Sequence, residues 1–342
     1  MKKHLGILMT VTFLLSVSVF SVSAFAGSKK GWPKVMSIGT TPPGTSYYNL
    51  AIPIADVLKK KHGLRITVEG SAGSGVNYEL YRKGNIELSM QNSLDAVNWY
   101  KGTGQYQKKG KIDVRLLATG HLQAFGMWVK DQSSVRRIDD IKGKRCAFAV
   151  PAVPIMWLTA KANMRPFGLA ENDIELVKWS GYKDVKSFVA EGTAEVFHTP
   201  TNAGGLKPHP VILEISQTNH IRFLQLSKPE QNTIVRMSPF LAPMTIPAGT
   251  YRGQDFDLRT TGTTTSIGVK TGLPADLVYL MTKTIWENLD TLKKANAGFN
   301  AWYKDKAASF HGIPYHKGAV KYYREIGIWT SAMDEEQQNL LQ

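Results

Sequence analysis

Along this chain short apolar runs alternate with stretches whose apolar residues recur at helical spacing. Val35-Met36-Ser37-Ile38-Gly39 predicts a strand. A Gly/Pro/Thr loop follows from Thr40 to Thr45, and Ser46 stands where a helix cap belongs. Tyr47, Leu50, Ile54, Val57 and Leu58 then keep helical period until His62-Gly63. Pro53 removes a hydrogen bond inside that helix, so a kink is expected there. Residues 64–68 and 86–90 predict two more strands, each followed by a helical pattern: Val76, Leu80 and Tyr81, then Leu94, Val97 and Tyr100. Repeated strand–helix alternation predicts a parallel α/β sheet covered by helices.

A second such unit begins after residues 114–119. Strands are expected at 125–129, 145–150, 174–177, 195–198 and 211–215, with extended chain again near 264–269. Helical patterns occupy about 155–167 and 182–190. Pro274 opens a strong helix through Leu277, Val278, Met281, Ile285 and Leu289. No internal repeat interrupts this order.

The first residues change the picture from fold to compartment. Met1-Lys2-Lys3-His4 is a short basic start, Leu5 to about Ala24 is apolar and uncharged, and Ala24-Phe25-Ala26 offers small residues for cleavage before Gly27. This is the layout of a secretory signal peptide over residues 1–26; a single membrane anchor is the alternative, ranked second because the run is rich in Ser and Thr. The 342 residues carry 42 Lys+Arg against 27 Asp+Glu. A positive field favours anionic partners. Export and the scattered placement of the basic residues argue against nucleic acid. Cys146 is the sole cysteine, so an internal disulfide is impossible, and its apolar run reads as a buried strand.

In open α/β sheets ligands bind beyond the carboxyl ends of strands. Three polar loops meet that condition. The first contains Thr40, Thr45, Ser46 and Tyr47, the second Ser74 and Asn77, the third Gln91 and Asn92. Helix N-termini there present unpaired N–H groups suited to a carboxylate. The alternative is that these are merely capped turns.

In their order and spacing several short segments resemble the TAXI family of TRAP-transporter solute-binding proteins, from about Val35 to Tyr323. They are Gly44-Thr45-Ser46-Tyr47-Tyr48-Asn49, Gly73-Ser74-Gly75-Val76-Asn77, Leu80-Tyr81-Arg82-Lys83-Gly84, Gln91-Asn92 and Tyr100-Lys101-Gly102-Thr103-Gly104. Later come Thr245-Ile246-Pro247-Ala248-Gly249-Thr250-Tyr251, Leu273-Pro274, Glu287-Asn288-Leu289 and His316-Lys317-Gly318-Ala319. The resemblance implies a two-lobed, type II periplasmic-binding-protein fold with a ligand cleft between the lobes. It implies a first lobe of residues 32–119 and 271–342, a second of 120–270, and hinges near Gly120-His121-Leu122 and Ile267-Gly268. It also implies a monomer in the periplasm that hands a small organic solute to ion-gradient-driven TRAP membrane subunits.

One segment departs from the family. Many members carry a Gly-Ser-Gly-Thr-like turn where this chain has Pro151-Ala152-Val153-Pro154-Ile155-Met156-Trp157, and two prolines remove two N–H donors. A carboxylate-bearing solute with an apolar portion is the resulting expectation. Met156 reads as core, and Trp157 as either core or cleft. From the second lobe Phe197 and His198 are expected at the ligand, with Tyr182 a weaker candidate. His198 reads as a polar pocket residue rather than a metal ligand, since no partner stands at ligand spacing. His121 reads as structural, Arg82 as surface, and Arg136, Arg137, Lys142, Lys144 and Arg145 as a solvated face or a docking patch. No Gly-x-Ser-x-Gly elbow, His-Glu-x-x-His pair or Walker loop is present, so no enzyme, cofactor or metal is expected. A secreted enzyme and a solute sensor remain the rival functions.

Overall fold

The computed structural model describes residues 31–149, 154–180, 182–201, 208–309 and 312–342. The expected signal peptide and Pro151-Ala152-Val153 therefore lie outside the described residues. In chain order the elements are β1 (Val35–Gly39), α1 (Ser46–His62), β2 (Arg65–Glu69), α2 (Ser74–Lys83), β3 (Leu88–Asn92), α3 (Ser93–Lys101), β4 (Val114–Lys130) and β5 (Arg145–Ala149). They continue with α4 (Pro154–Met164), β6 (Glu175–Lys178), α5 (Tyr182–Glu191), β7 (Val196–Pro200), α6 (Pro210–Asn219), β8 (Ile221–Phe223), α7 (Lys228–Met237), β9 (Ala242–Ile246) and β10 (Leu258–Lys270). The chain closes on α8 (Ala275–Glu287), α9 (Leu289–Ala295), α10 (Lys317–Glu325) and α11 (Ser331–Leu341).

Helix α1 shows why the early pattern was readable. Leu50, Ala51, Ile54, Ala55, Val57 and Leu58 face inward, and three lysines in the last turn oppose the negative end of the helix dipole. Gly63 then takes the left-handed conformation, φ 67°, and its N–H reaches the Lys59 carbonyl at 2.8 Å. Pro53 lies inside the helix, which continues through it. The N-cap is Thr45 rather than Ser46, and no side-chain bond caps it.

The sheet runs β2-β1-β3-β10-β4-β7-β5-β6, with β8 on β4 and β9 on β10. It is mixed, not purely parallel. Strands β1, β2 and β3 pair parallel, as do β5, β6 and β7, but the 17-residue β4 and 13-residue β10 run antiparallel to each other and to their neighbours. The strand expected at 125–129 is thus part of one longer strand that begins at Val114 and runs through Gly120-His121-Leu122. Residues 211–215 are a correction of kind: they lie in α6. Pro210 starts that helix, and Ile212, Ile215 and Ser216 share its buried face at spacings of three and four. A short apolar run carries no period of its own, and proline was the better signal.

The long strands cross between two lobes. One apolar core gathers β1–β3, α1–α3, the first third of β4, the end of β10 and the C-terminal helices. Two further clusters gather the rest of β4, β5–β9 and α4–α7. Between the cores the β4–β10 register shifts, between Thr264 and Ser266 and again between Ile267 and Gly268. Such bulges bend a strand pair locally.

Candidate functional site

The end of β3 and the start of α3 form the floor of a cavity of about 480 Å³. Its walls come from both lobes: Ser74, Asn92, Leu94, Asp95, Asn98 and Gln105 on one side, Ile155 and Leu158 of α4 on the other. The parallel strands end here, as the topology requires. Asn92 caps α3: its Oδ1 accepts from the Asp95 N–H at 2.9 Å, and its Nδ2 donates to Asp95 Oδ2 at 2.8 Å. Strand pairing sets Thr265 of β10 opposite Asn92, so both side chains project from the same face.

The floor holds a cluster of hydroxyl, amide and imidazole groups around one carboxylate. Tyr106 donates its hydroxyl to Ser74 Oγ at 3.2 Å, and Gln105 Nε2 donates to the Tyr106 oxygen at 2.8 Å. The His121 Nε2 lies 3.1 Å from Thr265 Oγ1. Burial raises the Asp95 carboxyl, while hydrogen bonds from Ser74 and Asn92 pull it down. Burial pushes the Tyr47 phenol up to about 12, with a hydrogen bond to Thr265 opposing and the charge of Asp95 adding to it. Burial holds the His121 imidazole down at about 4. Among the described residues no Lys or Arg lines the cavity, and no group of three His, Cys, Asp or Glu could hold a metal ion.

Of the residues expected at the ligand, the structure brings Ser74, Asn92 and Tyr47 together. Ser46 is exposed at the start of α1. The others do different work. Thr40 is fully buried and pins β1 to β2: its N–H and Oγ1 both donate to the Glu69 carbonyl. Its own carbonyl accepts from Ser71 Oγ and from Asn77 Nδ2, each at 2.8 Å. Asn77, 2 % exposed, is therefore a clamp between the first two loops rather than a cleft residue. Thr45 Oγ1 is taken up by the loop itself, 2.5 Å from Thr41 Oγ1 and 2.6 Å from the Pro42 carbonyl. Strand β3 runs on through Gln91 and Asn92, and alternation sends the two side chains to opposite faces. Gln91 is buried beside Ser89 and Gly268, away from the cavity lining.

The second-lobe expectations are corrected more sharply. Phe197 is buried in the core, stacked on Trp128 at 4.3 Å between ring centroids. His198 is 0 % exposed between Phe125 and Phe148. Strand β7 is buried on both faces, so its polar residues mark core contacts and not an edge. Trp157 is half-buried, with Lys161 over its ring at 5.2 Å, and packs against the core; one residue either side of it, Met156 is core and Leu158 reaches the cavity. The side chain of Tyr182 lies outside the described residues.

Cys146 is buried, and burial pushes its thiol up to about 12, away from the thiolate form that a nucleophile uses. Arg82 is exposed and donates to the Lys109 carbonyl at 2.8 Å. The basic run is a paired surface: Arg137 meets Asp139 and Glu230, Lys142 meets Asp173, and Lys144 and Arg145 share Glu195.

Asp95, Asn98, Gln105, Ile155, Leu158 and Thr265 were not singled out in the sequence. Asn92-Ser93-Leu94-Asp95 does carry the spacing of a capping box, a signal that places Asp95 at the mouth of a helix. Thr265 had no local signal, because its place depends on pairing with a strand more than 170 positions away.

A model of the NMT1-like family matches residues 38–327. Among solved structures, a TctC solute binding protein from Polaromonas, without ligand, is similar over 90% of this chain and 96% of its own, at 13% identity and a TM-score of 0.53. The XAC2383 protein from Xanthomonas citri, bound to ATP, is similar over 91% of this chain and 100% of its own, at 10% identity and a TM-score of 0.51. At these identities the likeness is one of fold, the two-lobed architecture of solute-binding proteins.

Proposed function

The chain belongs to the NMT1-like family, and from that premise we propose that it is an extracytoplasmic solute-binding protein that captures one small organic molecule between its lobes and delivers it to a membrane transporter. The observation that carries this reading is the cavity walled by Asn92 and Asp95 from one lobe and Ile155 and Leu158 from the other. A solute held there touches both lobes at once, so its binding energy favours the state in which they are close. The polar floor and the apolar wall of Leu94, Ile155 and Leu158 suit a solute with a polar head and an apolar portion. The reading assigns no chemistry to the solute: Ser74 and Asp95, which hydrogen-bond each other in the cavity, are read as groups that hold it.

The finer parts of the proposal rest on the sequence. The TAXI-like segments, in their order, favour TRAP membrane subunits driven by an ion gradient. Residues 1–26 would direct export to the periplasm and be removed there. The lobes would be 32–119 with 271–342, and 120–270, turning about Gly120-His121-Leu122 and Ile267-Gly268, where the crossing strands carry their register shifts. The mature protein would act as a monomer. An acid gripped by helix N-termini is not carried forward, because the Asp95 carboxyl itself stands in the first turn of α3.

The transporter assignment is tested by uptake. Vesicles holding TRAP-type membrane subunits should take up the solute only when the mature protein is outside and a sodium gradient is imposed. Uptake that needs ATP and ignores the gradient would contradict the TRAP assignment and leave the binding role standing.

A further inference from the structure

We propose that the solute carries a protonated amine, and that Asp95 is its counter-ion in the cleft. This rests on the solute-binding reading above and names the chemical class that reading leaves open.

Three observations lead here. Asp95 lines a cavity shared by both lobes. It forms no ion pair among the described residues; its partners are the neutral Asn92 and Ser74. A carboxylate offers about four lone-pair sites, and two neutral donors leave capacity for a further one from a ligand. The groups that face it from the packed elements are Tyr47 of α1, Tyr106 after α3, and Thr265 of β10 with His121 behind it. Their phenols and imidazole are all uncharged near neutral pH.

A partly buried carboxylate with no cationic partner is costly unless something positive joins it. An incoming ammonium would meet that need: it carries three N–H donors, and the Asp95 carboxylate and Ser74 Oγ both stand in the cavity lining as acceptors. An incoming carboxylate would meet like charge within a few ångström and find no Lys or Arg among the described lining residues. The overall positive charge of the chain acts in the opposite sense at long range, but salt screens it within about 10 Å, well short of its spread over the surface.

The test uses the mature full chain and two sets of matched probes, each on a shared skeleton. Phenethylamine, 2-phenylethanol and phenylacetate form one set, and butylamine, 1-butanol and butyrate another. Affinities are read by calorimetry, with thermal shift as a screen. The amine of a set should bind at least about a hundredfold more tightly than the acid, as expected of a charge pair away from bulk water. Asp95→Asn should bring the amine down to within a few-fold of the alcohol, and Asp95→Glu should keep most of the preference. The ligand-free Asp95→Asn protein should melt close to the parent, because an amide oxygen can still accept from Asn92 and Ser74. Should that variant fail to fold, the order amine over alcohol over acid in the parent chain decides. An acid that binds as tightly as its amine overturns the inference and leaves solute binding intact, as does an amine affinity unmoved by Asp95→Asn. Silence across all three classes contradicts the solute-binding reading, and this inference with it.

Discussion

Lowering the pH from 7 to 4.5 is expected to cost the ligand-free protein about 2–3 kcal/mol of stability through His198 alone. The geometry fixes the tautomer. Thr159 gives its hydroxyl hydrogen to the helix carbonyls of Ile155 and Met156, at 2.8 and 3.0 Å, so its oxygen accepts from His198 Nε2–H at 2.9 Å. Among the described residues the Nδ1 of His198 is buried without a partner. A second proton would sit there as a charged donor with nothing to receive it, and burial holds the imidazole down at about 3. The unfolded chain protonates this ring near its ordinary value of 6.5. Between roughly 6.5 and 3 the unfolded state therefore binds a proton that the folded state refuses. Stability is complete above 6.5 and declines as the pH falls, by about 1.4 kcal/mol per unit. His121, whose imidazole burial holds down at about 4, adds a loss in the same direction. Urea unfolding at pH 7 and pH 4.5 measures the loss. His198→Phe keeps the aromatic packing and leaves Thr159 bonded to its own helix, so it should flatten the slope while costing little at pH 7. An unchanged slope in that variant would mean that other groups drive the acid sensitivity.

Trp302→Ala should destabilise the protein by about 3–5 kcal/mol, the range for removing a fully buried tryptophan. The indole is 0 % exposed and packs on Phe299 and Trp286, with ring centroids at 5.0 and 5.6 Å. Its far edge lies against Gly120 of β4, at the point where the long strand passes from one lobe to the other. A Cβ at Gly120 would collide with that edge. Gly120→Ala alone should thus cost about 1–3 kcal/mol through the forced shift of the ring. In the double variant the methyl group enters the space that the ring has left. The two losses should add up to less than their sum by at least about 1 kcal/mol. Strictly additive losses would show that Gly120 and Trp302 are not in contact in solution.

How much of this was readable from residues alone divides along one physical line. Local period and local stops were sufficient for α1, β1, α2 and α8, because each carries its apolar face, cap or proline within its own length. The misread parts depend on distant partners. Residues 125–129 look like a strand that starts after the polar Gly120-His121, yet β10 pairs on both sides of that point and one strand runs through it. Asn77, Gln91 and His198 are polar and stand near strand ends, which suggested a ligand. Each is instead enclosed by elements that sequence order does not bring together: Asn77 against the Thr40 carbonyl, Gln91 beside Gly268, His198 under α4. The converse error has the same origin. Ile155 and Leu158 look like ordinary core of α4, and only the meeting of the lobes turns them into a cavity wall. The family-like segments contain Ser74 and Asn92, which line the cavity, but do not say which other loop residues face outward.

The central claim is capture without conversion. Its most direct test is a calorimetric titration of the mature chain with a solute found by thermal shift, followed by mass analysis of the solute released on unfolding. A ligand present at 100 times its dissociation constant should stabilise the protein by about 2.7 kcal/mol. The account predicts a single-site isotherm at one molecule per chain, with the solute recovered chemically unchanged. Product accumulating beyond one equivalent per chain, or a binding heat that survives when Asn92 and Leu158 are both replaced by bulky tryptophan to fill the cavity, would contradict it.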